Sequence, residues 1–338
     1  MRTEFDANQG AEARPRATER VILDTDIDTD CDDAGALAVL HNLAPSRALH
    51  ILGIVCSVPS RWCAPCVHAI NRWYGRGDIP VGEARVPDWE TSSAYKAYHR
   101  ERAEMTDSGR IPLYNEVVAR AAFPSGEYPP SEEGTALYRR LLAAQPDKSV
   151  TICAIGMLTV LAQLLRSGPD EHSPLDGEEL VRRKVAKFVT MASGAPPRGN
   201  EEFNWRMDLP AARAVVSGWP TRLIVSNHGE TVRTGRRFLA AAPEEHPVAV
   251  AYRSVLGFTR EEDRPSWDQL AVAWSAGAGD DWLRATGHGS IVLDEETADY
   301  FWTPKPGPAD RQCLAPIVSD TCLRDKVEAL MIGTPGQS

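Results

Sequence analysis

Apolar residues along this chain gather into short unbroken runs, and after most of them apolar positions recur at helical spacing. The runs Arg20–Asp24, Leu49–Val58, Ile79–Gly82, Ser149–Gly156, Lys187–Ala192 and Arg222–Ser226 predict strands. Between them, Ala34–Asn42, Ala64–Tyr74, Leu113–Ala122, Gly134–Ala144, Leu158–Arg166 and Leu209–Ser217 predict helices. The last carries its own start signal, with Asp208 as N-cap and Pro210 in the first turn. Strands that are apolar throughout and alternate with helices specify an α/β fold: a Rossmann-like, mostly parallel central sheet with helices on both faces. The stretch 85–130 is polar and aromatic, an excursion that makes a candidate lid. No repeat or linker divides the chain, so residues 20–338 are expected to form a single domain behind a flexible tail, residues 1–19.

Composition narrows the chemistry. With 338 residues, 43% of them hydrophobic, the chain can bury a sizeable core. A net charge of -10 with scattered basic residues argues against a nucleic-acid partner and for a small polar ligand or a cation. No apolar run reaches the roughly 20 residues of a membrane span, and the leader lacks the apolar core of a secretion signal. A cytoplasmic protein is expected. Seven cysteines, an odd number, argue against a disulfide framework. The pair in Trp62–Cys66 (WCAPC) reads as an ordinary helix start, because a redox motif of that form would follow a first strand without an intervening acidic loop.

That loop is the main anomaly. In VILDTDIDTDCDD, residues 21–33, an apolar strand runs into six aspartates, Asp24, Asp26, Asp28, Asp30, Asp32 and Asp33. Two carboxylates about 5 Å apart repel by roughly 3 kcal/mol at an effective dielectric near 20. The dipole of the following helix offsets only about 0.3–1 kcal/mol per charge. A hard cation with many oxygen ligands balances more. An EF-hand loop fails on paper, because its required Gly and Glu positions hold Thr29 and Gly35, or Cys31 and Leu37. A haloacid-dehalogenase-like, Mg-dependent phosphatase would also begin with D-x-D after a strand, but Asp28 stands where Thr or Val is expected.

The segment resembles the D-x-D-x-G-x-D-D signature of the inosine-uridine-preferring nucleoside hydrolase family, and the A-x-A-L that follows it there is matched here by Ala34-Gly35-Ala36-Leu37. Further segments follow in family order: Gly156–Ala162, Met191–Gly194, Gly199-Asn200, Glu202-Phe203-Asn204, Asp208–Ala212 and Ser266–Val272. The chain departs in a loop two residues longer, in Asp28 for Gly, in Val160 for Asn and in Ser60 near another expected Asn.

The resemblance implies a calcium-dependent hydrolase that cleaves the N-glycosidic bond of a ribonucleoside or related N-riboside. It implies Ca²⁺ held by Asp26, Asp33, the Ile155 carbonyl and Asp268, with Asp26 also taking a proton from the attacking water. Asp32, Asn200, Glu202 and Asn204 would bind the sugar hydroxyls. The acid that many members carry before the late aspartate is replaced by Trp267. Trp267 and Trp205 could instead stack on the base, and His228 is a candidate acid. The expected partner is a small nucleoside or N-glycoside, with a homo-oligomer, dimer or tetramer, as the assembly. The alternatives are a sugar- or nucleoside-binding protein of the same fold that has lost hydrolysis, and the phosphatase.

Overall fold

The computed structural model describes residues 18–28, 30–45, 49–93, 96–98, 100, 113–194, 198–199, 203–294, 296–303 and 310–333. Its strands are β1 (Glu19–Thr25), β2 (Leu49–Cys56), β3 (Val81–Glu83), β4 (Glu132–Glu133), β5 (Val150–Ala154), β6 (Val185–Met191), β7 (Arg198–Gly199), β8 (Arg222–Ser226), β9 (Arg233–Thr234), β10 (Arg264–Pro265), β11 (Leu283–Leu293), β12 (Tyr300–Thr303) and β13 (Arg311–Pro316). Among the described residues the α-helices are α1 (Asp32–Leu43), α2 (Cys63–Trp73), α3 (Tyr114–Ala122), α4 (Gly134–Ala143), α5 (Thr159–Arg166), α6 (Gly177–Lys184), α7 (Phe203–Met207), α8 (Leu209–Gly218), α9 (Arg236–Ala241), α10 (Pro247–Thr259), α11 (Trp267–Ser275) and α12 (Asp320–Ile332).

Eleven strands form one sheet in the order β4-β3-β2-β1-β5-β6-β8-β13-β11-β12-β7. Pairing is parallel from β4 across to β13 and antiparallel through β11, β12 and β7. The mostly parallel sheet read from the apolar runs is therefore present, with an antiparallel edge added beyond it. β1 lies at the centre of the parallel part, between β2 and β5. Its side chains alternate as strand geometry requires. Val21 and Leu23 enter the core built with α1, α2, α10, α11 and α12, and Ile22 enters the core built with α4, α5, α6 and α8. The expected tail falls almost wholly outside the described residues, as does most of the excursion between 93 and 113. No described helix is long and apolar enough to cross a membrane.

Two histidines are buried where α1, α2 and α10 meet. Arg76 Nη1, which can only donate, lies 3.4 Å from His41 Nδ1, so Nε2 carries the proton and donates to Asn71 Oδ1 at 2.9 Å. His246 Nδ1 accepts from the Val248 backbone N–H at 3.2 Å, which caps α10. Burial lowers His41 to about 3 and His246 to about 4. Both are therefore neutral in the fold and protonate more readily when unfolded, so their stabilisation is complete above about pH 6.5 and is lost as pH falls toward 4 and 3. Near pH 5 the loss amounts to roughly 2 kcal/mol per histidine. Urea unfolding at pH 7 and pH 5 should show His41→Gln losing less stability, or gaining more, on acidification than the parent chain does, by up to roughly 2 kcal/mol; an identical pH dependence in both proteins would overturn the part assigned to His41.

Candidate active site

The site begins with the alternation at the end of β1. Asp24 faces the α4 side, fully buried, and accepts a 2.8 Å hydrogen bond from Tyr138 Oη, with burial raising its carboxyl to about 7. Thr25 faces the other side and donates from Oγ1 to Asp33 Oδ1 at the start of α1. The chain then turns through Asp26, which packs against Gly156 after β5. A Cβ on Gly156 would lie 2.5 Å from the Asp26 backbone nitrogen, so only glycine admits this approach.

Two helix starts converge on the same point. Asp32 and Asp33 occupy the first turn of α1, and Asp268 the first turn of α11. Gly35 allows Gln269 and Tyr252 to approach α1 closely, because a Cβ there would meet both at 2.6 Å. Carboxylate oxygens of Asp32, Asp33 and Asp268 lie within 4.8 Å of one another, and the three residues are 4%, 4% and 2% exposed. Each such pair repels by roughly 3 kcal/mol at an effective dielectric near 20. Burial first, and then repulsion from neighbouring aspartates, pushes Asp26, Asp32, Asp33 and Asp268 well above the usual carboxylate range. Asp268 Oδ1 is buried with no hydrogen-bond partner.

A hard cation meets these conditions. Opposed oxygens around Ca²⁺ are separated by at most about twice its 2.3–2.6 Å bond length, which matches the spacing of the cluster. The donors are all oxygen, and the orphaned Asp268 oxygen would gain a partner.

The other two aspartates of the loop are already satisfied by the protein. Asp28 is buried and accepts from Asn115 Nδ2 at 3.0 Å. Asp30 takes the Nε and Nη2 edge of Arg264, with Nε 2.9 Å from Oδ1, and its backbone carbonyl accepts from Tyr114 Oη at 2.6 Å. Cys63 Sγ and Asn115 Nδ2 both donate to the Ile27 carbonyl, so the start of α2 braces the loop. Burial raises the Cys63 and Cys66 thiols, as suits structural rather than redox cysteines.

These groups open onto a cavity of about 230 Å³ at the carboxyl ends of β1, β5 and β6, where open α/β sheets bind ligands. It is lined by Asp26, Asp30, Asp32, Asp33, Ile155, Met191, Phe203, Asn204, Arg264, Trp267 and Asp268. Of the residues singled out in the sequence, Asp26, Asp32, Asp33, Ile155, Asn204, Trp267 and Asp268 thus come together. The tightest acidic group contains Asp32, with Asp26 on the same wall but outside it. Asn204 Nδ2 donates to the Ile155 carbonyl at 2.9 Å.

Trp205 and His228 are not among the lining residues. The Trp205 indole is fully buried, its ring centroid 5.1 Å from that of Tyr300 and its Nε1 donating to Thr190 Oγ1 at 3.4 Å. His228 Nε2 pairs with Asp320 Oδ1 at 2.8 Å. Asn200 and Glu202 lie outside the described residues. Met191, Phe203 and Arg264 line the cavity without having been assigned a role from sequence; the one signal for Arg264 is a cation directly after three acidic residues and three positions before Trp267.

The sequence profile of a family described as inosine-uridine preferring nucleoside hydrolase matches residues 21–301. No curated protein matches the chain. Among solved structures, a purine-preferring ribonucleoside hydrolase from Gardnerella vaginalis superposes with a TM-score of 0.66 at 15% identity, over 93% of this chain and 98% of that one. An inosine-uridine preferring nucleoside hydrolase from Bacillus anthracis gives 0.62 at 14% identity, over 93% and 99%. The type III effector protein XopQ, complexed with adenosine diphosphate ribose, gives 0.65 at 17% identity, over 95% and 94%. Identities this low establish a shared fold, whereas the profile spans most of the chain. With its profile matched over residues 21–301 and a cavity at the sheet end where the acidic segments converge, the chain belongs to the inosine-uridine preferring nucleoside hydrolase family of glycosidase-type enzymes, which hydrolyse N-glycosidic bonds.

Proposed function

We propose that this enzyme is a calcium-dependent N-ribohydrolase that releases free base and sugar from a ribonucleoside or related N-riboside. The observation that carries the reading is the buried group of Asp32, Asp33 and Asp268, with an unpartnered Asp268 oxygen and Asp26 beside it. Asp26, Asp33, Asp268 and the Ile155 carbonyl would hold the ion. Bound there, Ca²⁺ would gather sugar hydroxyls and make water a better nucleophile.

The remaining steps fall to the chain's own groups. Asp26, which lines the cavity beside the clustered carboxylates, accepts the proton of the attacking water. Asp32 accepts from a sugar hydroxyl, and Asn204, with Asn200 and Glu202 of the adjoining segment, completes the grip on the ring. Fixing the ring in this way lowers the cost of its flattening toward an oxocarbenium ion. Met191 and Phe203 supply apolar cover, and Trp267 offers a stacking face to the base. A cavity of about 230 Å³ suits a ligand of sugar size. His228, which pairs with Asp320 and is not among the residues lining the cavity, is given no role in this reading.

A second reading, a nucleoside-binding protein that has lost hydrolysis, is favoured by one observation: Trp267, which has no dissociable proton of useful acidity, stands in the place of the acid. The two are separated by assay. The purified protein should release reducing sugar from at least one of inosine, guanosine, adenosine, uridine or cytidine, and Asp26→Asn should lower that rate by about 10²–10⁴-fold; tight nucleoside binding without sugar release in the parent chain would leave the binding reading. Metal dependence has its own readout. Asp33→Asn should melt higher than the parent in chelator, by about 1 kcal/mol or a few degrees, because one buried charge is gone, and it should lose most of the stabilisation that Ca²⁺ gives the parent. If Ca²⁺ fails to raise the parent's melting temperature, the cation assignment falls.

A further inference from the structure

Arg264 is the only basic side chain among the described residues that line the cavity. Its Nε and Nη2 engage Asp30, and its Nη1 donates to Glu261 Oε2 at 2.9 Å. Of five guanidinium N–H donors, three are thus committed and one on each Nη atom has no partner among the described residues. Its positive charge is already matched by two carboxylates. Such a group is poorly suited to capturing an anion, but it can still offer hydrogen bonds to a neutral acceptor on which negative charge develops.

The position of Arg264 supplies the rest. It sits in β10, and the chain passes through Ser266 directly into Trp267, the residue that replaces the family-type acid. Asp30, which orients it, belongs to the part of the acidic loop that is two residues longer than the family pattern. Two departures from that pattern, the longer loop through Asp30 and the missing acid at Trp267, line the same cavity as the Arg264 that pairs with Asp30.

Building on the N-ribohydrolase reading, we infer that Arg264 is the leaving-group residue of this enzyme, with Asp30 as its positioning residue. When the bond between the anomeric carbon and the base nitrogen breaks, its electron pair passes to the base and spreads onto a carbonyl oxygen or ring nitrogen. The free N–H donors of Arg264 stabilise that charge. Water adds hydroxide to the anomeric carbon and gives its proton to Asp26, and the departed base takes up a proton from solvent. Arginine keeps its proton throughout, so the substrate must be a riboside whose base bears a conjugated acceptor, as nucleobases do. Ribosides of simple amines, which have none, are excluded.

The test compares two leaving groups in the intact protein. In 4-nitrophenyl ribofuranoside the nitro group itself disperses the charge, whereas in a nucleoside the enzyme must help. Arg264→Gln should lower kcat on the best of the five nucleosides about 10²-fold more than on the nitrophenyl riboside. Arg264→Lys, which keeps the charge and loses the planar fork, should fall between Gln and the parent, and Asp30→Asn should show the same leaving-group dependence in weaker form. Equal losses on both substrates, or no loss on either, would overturn the role of Arg264, as would a parent enzyme that cleaves the nitrophenyl riboside and no nucleoside. A parent enzyme that cleaves neither removes the hydrolase reading itself.

Discussion

The mutual repulsion of buried carboxylates governs the architecture of this sheet end. Six aspartates emerge from β1 within ten positions, and Asp268 adds a seventh from α11. The protein holds two of them on its own partners, Asp28 on Asn115 and Asp30 on Arg264, and a third, Asp24, by one oxygen on Tyr138, its other oxygen being buried without a partner. The other four are left with less compensation. Thr25 and two helix N-termini relieve a small part, about 0.3–1 kcal/mol for each helix end. The division is itself informative: Asp28 and Asp30 are matched by neighbouring side chains and Asp24 is buried away from the cavity, whereas the remainder are crowded where an external charge can reach them.

The framework holding this arrangement was legible in the sequence where burial is complete. All six predicted strands of the parallel part occur as β1, β2, β3, β5, β6 and β8, because runs such as SVTICAIG admit no exposed face. The antiparallel edge was not read. β11, LRATGHGSIVL, mixes glycine and polar residues without an unbroken apolar run, and β12 has only four residues. Its pairing with β13 and β12 supplies what its own pattern lacks.

The site divides along similar lines. Aspartates at strand and helix ends could be placed because both their position and their charge are local facts. Trp205 shows the limit of that logic. It adjoins Asn204, which lines the cavity, but successive residues on a helix point about 100° apart, and the indole packs on Tyr300 instead. Arg264 could not be found by pattern at all, since its meaning comes from a partner 234 positions away.

That separation bears on how the protein is made. The acidic loop leaves the ribosome long before Arg264 and Asp268 exist. At about 5–20 residues per second the interval is on the order of ten seconds or more. Any pairing of the central strand with β2 and β5 made during it forms while the loop lacks the arginine that anchors Asp30. Charge that is crowded in the finished fold is thus, on a chain still being made, charge set beside an apolar strand before its arginine partner exists.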